Sequence, residues 1–260
     1  MASDNGRITP RLLVHRLYAG GKRSRGEARA VVRRVVDQGL LSYCYILGTS
    51  FLELAFTRPV KITDKFVLKP PGTFYLEIHG QKVITIEPGA AFGGGQHPTT
   101  RLALKGMTWC FDRYAKFLTG AAAIALDIGT GTGVLAIAAV RCGVHRAIAT
   151  EVDPCARWEA RRNVALNGLS ERIVVRSVPS PPLGKNAVMV TANLRLPTLV
   201  NLRNEIPKTA APGGILIFSG IRPEELPQLI SAYGAAAFDL LYQETEQSWS
   251  CVVFKKLPAA

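Results

Sequence analysis

Residues 123–140 read AIALDIGTGTGVLAIAAV: a β-rich run, glycines at 129, 131 and 133, then an apolar helical run. Glycines so placed let the backbone approach a ligand closely and present the amides of a helix N-terminus to it. A dinucleotide-binding turn wants its third glycine five residues after the first, where this chain has Val134. The G-x-G-x-G spacing after Asp127 favours S-adenosylmethionine over a pyrophosphate-bearing dinucleotide, with Asp127, Gly129, Gly131 and Gly133 read as its contacts. Glu151 closes the next β-rich run, AIATEVD, twenty-two residues after Gly129. A carboxylate there can accept both hydroxyls of an adenosine ribose, at about 1.5–3 kcal/mol for each charge-assisted bond. The other role open to Glu151 is capping the helix that begins at Asp153-Pro154, a role Asp153 fits better.

Two further segments carry chemistry. In residues 91–100, AFGGGQHPTT, three glycines permit a loop folded close against a ligand, and Thr99 or Thr100 can cap the following helix while facing the methionine end of the cofactor. By composition His97 reads as a loop histidine packed against the sheet rim. In VTANLRLP, Asn193 follows a β-rich run, and a side-chain amide there can hold an acceptor amine by its carbonyl oxygen or simply cap a turn. Asn193 is the residue assigned a catalytic contact, and Gly94, His97 and Arg195 are assigned to the substrate side. Open α/β sheets bind ligands beyond the C-terminal ends of their strands, so Gly129, Glu151 and Asn193 fall on one rim.

These residues need a sheet to position them. AIALDIG, AIATEVD, RIVVRSV, AVMVTAN and GILIFSG are spaced by helical or loop segments of 10 to 25 residues, the pattern of a parallel sheet covered on both faces. AFDLLYQETEQ and SWSCVVFKKL then follow with no helix between them, an antiparallel hairpin at the sheet edge. The expected fold is α/β, Rossmann-like, with a seven-stranded mostly parallel sheet over residues 99–260. Residues 59–98 are read as a connecting extended segment, with apolar runs broken by prolines and then the strand KVITIEPG, and the glycine-rich loop.

Residues 1–58 read as a small α+β domain. Thr9-Pro10 starts a short helix that ends at Gly20-Gly21; Ser24 with Glu27 forms a capping box for a second, which Gly39 stops. LSYCYIL and FLELAF, joined by Gly48-Thr49-Ser50, give a hairpin signal. A basic helix running into a hairpin resembles the end of a winged-helix domain, with two helices where that fold usually has three.

The chain's net charge is +13, and its first forty residues hold nine basic against three acidic side chains. Such a basic face raises the local concentration of polyanions, so an RNA contact through residues 7–34 is expected beside the simpler role of a solvated surface. At 48% hydrophobic residues the chain is too apolar for disorder. No stretch is long and apolar enough for a membrane helix, and the first ten residues lack the apolar run of a signal peptide, so a cytoplasmic protein with no membrane contact is expected. Five scattered cysteines without a C-x-x-C pair offer neither a disulfide framework nor a metal knuckle; they are read as reduced, with no metal.

In order along residues 58–256, these motifs resemble the bacterial ribosomal protein methyltransferases of the PrmA type, whose known substrate is protein eleven of the large subunit. EPGAAFGGGQHPTT is similar to that family's glycine-histidine-threonine signature, ALDIGTGTGVLAIAA to its cofactor turn, and EVDPCARWEARRNVALNG to its ribose-binding strand and helix. ANLRLPTLVNL, PGGILIFSGI and the tail with Trp249 match its fourth and fifth strands and terminal hairpin. The resemblance implies a class I methyltransferase that uses S-adenosylmethionine, with Thr100, Gly129, Glu151 and Asn193 in cofactor-binding roles. It implies as acceptor an amine of a protein, a lysine or an amino terminus, in a ribosomal or ribosome-associated partner. The chain departs from the family in its GGG loop, in Glu151 where aspartate is usual, in Arg195 where an apolar residue is common, and throughout residues 1–58. Methyl transfer to an amine needs no metal and no covalent nucleophile, and positioning alone can supply about 7–11 kcal/mol of the barrier. Two alternatives stay open: an RNA or DNA methyltransferase, and a nucleic-acid-binding protein that senses the cofactor without catalysis.

Overall fold

The computed structural model describes residues 8–257 apart from 39, 47, 79, 96, 178–185 and 236. The chain divides into two compact units, 1–58 and 59–260.

In the first unit, Thr9 caps α1 (Pro10–Ala19), its hydroxyl accepting from Leu12 N at 3.3 Å with proline at the first position. Ser24 and Glu27 close the expected capping box on α2 (Arg25–Asp37), at 3.2 and 2.6 Å. The expected stop at Gly39 lies outside the described residues. β1 (Leu41–Ile46) and β2 (Thr49–Leu54) pair antiparallel, and Ile8 adds a bridge to Leu52. Thr49 and Ser50, expected in the turn, belong instead to β2, facing Ile46 and Tyr45 across the ladder; a β-branched residue gains more from pairing than from a turn. Ala28, Val32 and Leu52 are buried in this unit.

Residues 59–90, expected as an extended connection, are extended but pair with one another. β3 (Val60–Lys61), β4 (Phe66–Lys69) and β5 (Lys82–Thr85) form a three-stranded sheet, antiparallel then parallel. Phe66, Val67, Leu68, Ile84 and Ile86 are buried, and backbone brought into a core with them must satisfy its polar groups by pairing.

The principal sheet has the order β11-β12-β10-β9-β6-β7-β8. Its parallel part comprises β6 (Ile124–Ile128), β7 (Arg146–Glu151), β8 (Ile173–Ser177), β9 (Ala187–Asn193) and β10 (Ala210–Ile221). β11 (Phe238–Glu246) and β12 (Trp249–Lys256) form the expected hairpin, inserted antiparallel beside β10. Helices α3 (Pro98–Leu118), α4 (Val134–Arg141) and α5 (Pro154–Leu166) pack on the sheet, with α6 (Leu196–Asn201), α7 (Ile206–Thr209) and α8 (Leu226–Gly234) completing the unit. Residues 134–140 of α4 are all buried, the reason this helix reads as a nearly continuous apolar run. From β6 the chain travels one way to β7 and β8, then returns to lay β9 on the other side of β6. The strand order therefore reverses between β6 and β9, where open α/β sheets form their binding crevice.

An ion cluster fixes α3 to the hairpin: Lys105 contacts Glu244 at 2.7 Å and Glu246 at 3.2 Å, and Arg101 pairs with Glu246. Burial pushes the Glu246 carboxyl up, but Arg101 and then Lys105 outweigh it, so the group lies below its ordinary range. Stability from the ionised carboxylate is therefore present above the unfolded-state value of about 4.3 and is lost as pH falls through the lower folded-state value. Glu246→Gln is expected to cost roughly 1–2 kcal/mol at pH 7 by urea unfolding, the gap to wild type closing as pH falls below about 4. A gap that stays constant with pH would show that the charge contributes nothing.

Candidate active site

At the end of β6 the three glycines adopt left-handed backbone, with φ of +68° at Gly129, +55° at Gly131 and +85° at Gly133. Gly131 has a second reason to lack a side chain: a Cβ there would stand 2.1 Å from the Phe92 carbonyl oxygen. That carbonyl accepts from Thr132 N at 2.9 Å, and the Thr132 hydroxyl donates to Gly93 O at 3.0 Å. Gly93, at φ +115°, has no room for a Cβ either, since Thr132 Oγ1 lies 2.5 Å from its position. The glycine-rich loop thus lies directly on the glycine-rich turn, whereas Gly94 faces open space.

Glu151 and Asp127 hold this turn from two sides. One oxygen of Glu151 accepts from Gly131 N at 3.0 Å, the other from Val152 N at 2.8 Å and Asp153 N at 3.1 Å. Asp153, as expected, caps α5, accepting from Cys155 N at 2.8 Å. Asp127 is buried, and its two oxygens accept from the Thr130 and Thr191 hydroxyls at 2.5 and 2.6 Å, which tie the end of β6 to the turn and to β9. Burial pushes its carboxyl above the ordinary range, against the lowering effect of those two hydroxyls.

Sequence reading missed the face of α5 that braces the loop. Glu159 accepts from Ala90 N and Ala91 N, each at 3.0 Å. One turn on, Asn163 accepts from Glu87 N at 2.9 Å and donates to Thr132 O at 2.9 Å. After one more turn, Asn167 exchanges bonds with Thr85 N and O at 3.0 and 2.7 Å. The available signal was three polar side chains at four-residue spacing on a helix packed against the sheet, with Asn163 fully buried.

The expectation that Thr99 or Thr100 caps α3 is corrected as well: the cap is His97, whose Nδ1 accepts from Thr99 N at 3.3 Å. A ring nitrogen reaches the first-turn amide as a threonine inside that turn cannot, because the cap must precede the helix. Thr99 is instead a junction. Its hydroxyl lies 2.8 Å from His97 Nδ1 and accepts from Asn193 Nδ2 at 3.1 Å, while its carbonyl accepts from Ser219 Oγ at 2.9 Å. Thr100 is buried, and its Oγ1 has no hydrogen-bond partner among the described residues. The His97 ring packs edge-on between Phe92 and Trp249, at 5.0 and 5.4 Å between ring centres. The Arg222 and Arg195 guanidiniums lie 4.0 and 5.0 Å from the centre of the Trp249 ring. Trp249, read from sequence only as part of the hairpin, thus joins His97 to Arg195. Asn193, His97, Arg195 and the glycine loop are brought together, with Glu151 at the far end of the turn.

The ribosomal protein L11 methyltransferase (PrmA) family model matches residues 54–257. The chain belongs to this family. It is 36% identical over 200 residues to a ribosomal protein L11 methyltransferase of Citrifermentans bemidjiense and 37% over 197 residues to one of Geobacter metallireducens. Each alignment takes in 76% of this chain but only 64% and 62% of the relative, so the chain spans less than two thirds of their length. A ribosomal protein L11 methylase structure from Lactobacillus delbrueckii subsp. bulgaricus superposes with a TM-score of 0.67 at 24% identity, covering 78% of this chain and 99% of that one. That likeness confirms the α/β methyltransferase fold of the family. The match begins at residue 54, and the segment before it contains almost all of the basic unit.

The packing of loop on turn yields a test. Gly131→Ala is expected to cost at least about 2 kcal/mol in urea unfolding, from left-handed backbone and the collision with Phe92 O together. Gly94→Ala, with nothing near its Cβ position, is expected to cost less than about 1 kcal/mol. Equal costs at the two positions would show that the loop does not rest on the turn in solution.

Proposed function

We propose that this chain is an S-adenosylmethionine-dependent N-methyltransferase whose acceptor is an amine, a lysine or an amino terminus, of a ribosomal or ribosome-associated protein, and that it works in the cytoplasm. The observation that carries the reading is the convergence of the glycine turn, Glu151 and Asn193 on the switch point of a chain that belongs to this family. Three details support the cofactor. Backbone fills the space beside Gly131, so the turn is a rigid cradle. The Glu151 carboxylate uses three of about four acceptor sites on backbone amides and keeps one for a ribose hydroxyl. The unpartnered Thr100 hydroxyl is a buried polar group of the kind a bound ligand satisfies.

When bound, the cofactor supplies an electrophilic methyl group on a cationic sulfur. The chain's own residues then bind and orient. Asn193, its amide nitrogen engaged by Thr99, has its carbonyl oxygen available for the acceptor amine. His97 and Trp249 wall the approach. A lysine can attack only as the neutral amine, and the positive charge of Arg195, two residues beyond Asn193, disfavours the ammonium form. No general base is assigned.

Calorimetry is expected to show S-adenosylmethionine binding in the micromolar range and no binding of NAD; the reverse pattern would overturn the reading. Glu151→Ala should cost about 1.5–3 kcal/mol of that affinity, roughly ten- to hundredfold, with the fold retained. Thr100→Val separates ligand binding from folding. It removes an unsatisfied hydroxyl and should leave the ligand-free protein equally or more stable while weakening cofactor binding about tenfold. Unchanged affinity in Thr100→Val would remove Thr100 from the site. With labelled cofactor and a lysate, the transferred label should be released by protease and survive nuclease.

A further inference from the structure

The N-terminal unit carries an open groove of about 880 Å³ lined by residues of α1 and α2 and by Tyr43 of β1. Pro10, Leu12, Val14 and Val32 form the aliphatic part of its lining. Arg11 of α1 and Arg25, Arg29 and Arg33 of α2 supply the charge. The three arginines of α2 recur every four residues on one side of the helix, a rise of about 6 Å per step. That is close to the separation of consecutive phosphates along an extended nucleic-acid strand.

No carboxylate lines the cavity, and none of these four arginines is in an ion pair among the described residues. Glu27, the acid nearest in sequence to Arg25 and Arg29, is committed to the Ser24 cap, and Asp37, four residues beyond Arg33, makes no ion pair with it among the described residues. Unneutralised arginines gathered along a concave surface repel one another, and an anionic partner relieves that cost. Every cation on the strip is arginine, whose planar fork meets phosphate oxygens two at a time. The walls add aromatic surface. Tyr18 is 41% and Tyr43 55% exposed, high values for residues of their size. The His15 ring stands edge-on to Tyr18 at 5.5 Å.

We infer that this groove is a binding site for a single-stranded segment of RNA, its phosphates held by Arg25, Arg29 and Arg33 and its bases laid against Tyr18 and Tyr43. The choice of RNA rests on the proposed ribosomal acceptor; phosphate and base recognition rests on the groove itself. A single strand fits because its bases are free to stack on aromatic rings, whereas the major groove of an RNA duplex is too deep and narrow for side chains to read. An acidic peptide would use the arginines but leave the exposed tyrosines without a role.

The test uses the full chain and a fluorescent 20-nucleotide single-stranded RNA of mixed sequence, with affinity measured by anisotropy from 50 to 300 mM salt. Binding is expected to weaken linearly in the logarithm of salt concentration. In the double variant Arg29→Gln, Arg33→Gln the slope should fall by roughly 1.4, about 0.7 for each phosphate of a single strand that is deprived of its arginine. Tyr18→Ala and Tyr43→Ala should each weaken binding roughly five- to hundredfold while leaving the slope unchanged. Glutamines keep the helix propensity of α2, and unaltered circular dichroism and cofactor affinity check that each variant is folded. Inorganic polyphosphate or polyglutamate binding as tightly as RNA, or tyrosine variants indistinguishable from wild type, would overturn base recognition in the groove. An unchanged slope in the arginine variant would overturn the phosphate path. Because the oligonucleotide needs no methyl transfer, loss of RNA binding with cofactor binding intact defeats only this inference, and loss of cofactor binding in the wild type defeats only the enzymatic one.

Discussion

The Phe92 carbonyl occupies the space that a side chain on residue 131 would fill, and most of the site's geometry follows from that close approach. It makes glycine obligatory at 131, brings the loop of residues 91–95 down onto the end of β6, and couples two segments that are almost forty residues apart in sequence. A loop carrying several glycines has high conformational entropy in the unfolded chain, so its placement needs bonds to offset that loss. The bonds are the Thr132 amide and hydroxyl to the loop carbonyls and the paired Glu159 oxygens to the amides of Ala90 and Ala91. The loop is therefore a fixed wall of the site, braced from α5.

The same economy of polar groups runs along the rim. Asp127, Glu151, Asn163 and Thr99 each link two or more backbone segments, and each is at least partly withdrawn from water. A buried carboxylate is tolerable only with donors in place, and Asp127 has two hydroxyls that do little else. The arrangement is preorganised before any ligand arrives, which suits a reaction whose barrier is lowered chiefly by positioning. Against this background the unpartnered Thr100 hydroxyl stands out beside Thr99, whose hydroxyl and carbonyl are both bonded.

The N-terminal unit follows another logic. Its core is small, its helices are held by caps at their ends, and the four arginines along its groove make no ion pair among the described residues. Sequence similarity to the family covers the unit with the sheet and not this one.

Much of this was legible in the sequence, because the signals are local. Thr9-Pro10 and the Ser24–Glu27 box fix helix starts through bonds spanning three residues, and alternating apolar runs fix the strands through their own burial. The turn at 129–133 and the acid at 151 were likewise readable, since glycine spacing and strand-end position are properties of one short segment. What only the tertiary structure decided depends on residues distant in the chain. Within residues 59–90 the strand KVITIEPG was readable and the rest read as a connection, because strands of two to four residues carry little periodicity; their pairing is set by burial of Phe66, Leu68 and Ile84. Asp127 is legible as an acid before the turn, but its bond to Thr191, sixty-four residues away, is not. His97 rather than a threonine caps α3, and Thr99 rather than Thr100 meets Asn193, because those choices turn on which side of a helix faces the end of β9. A sequence states which groups are available at each point, but only the folded sheet decides which two of them come within hydrogen-bonding distance.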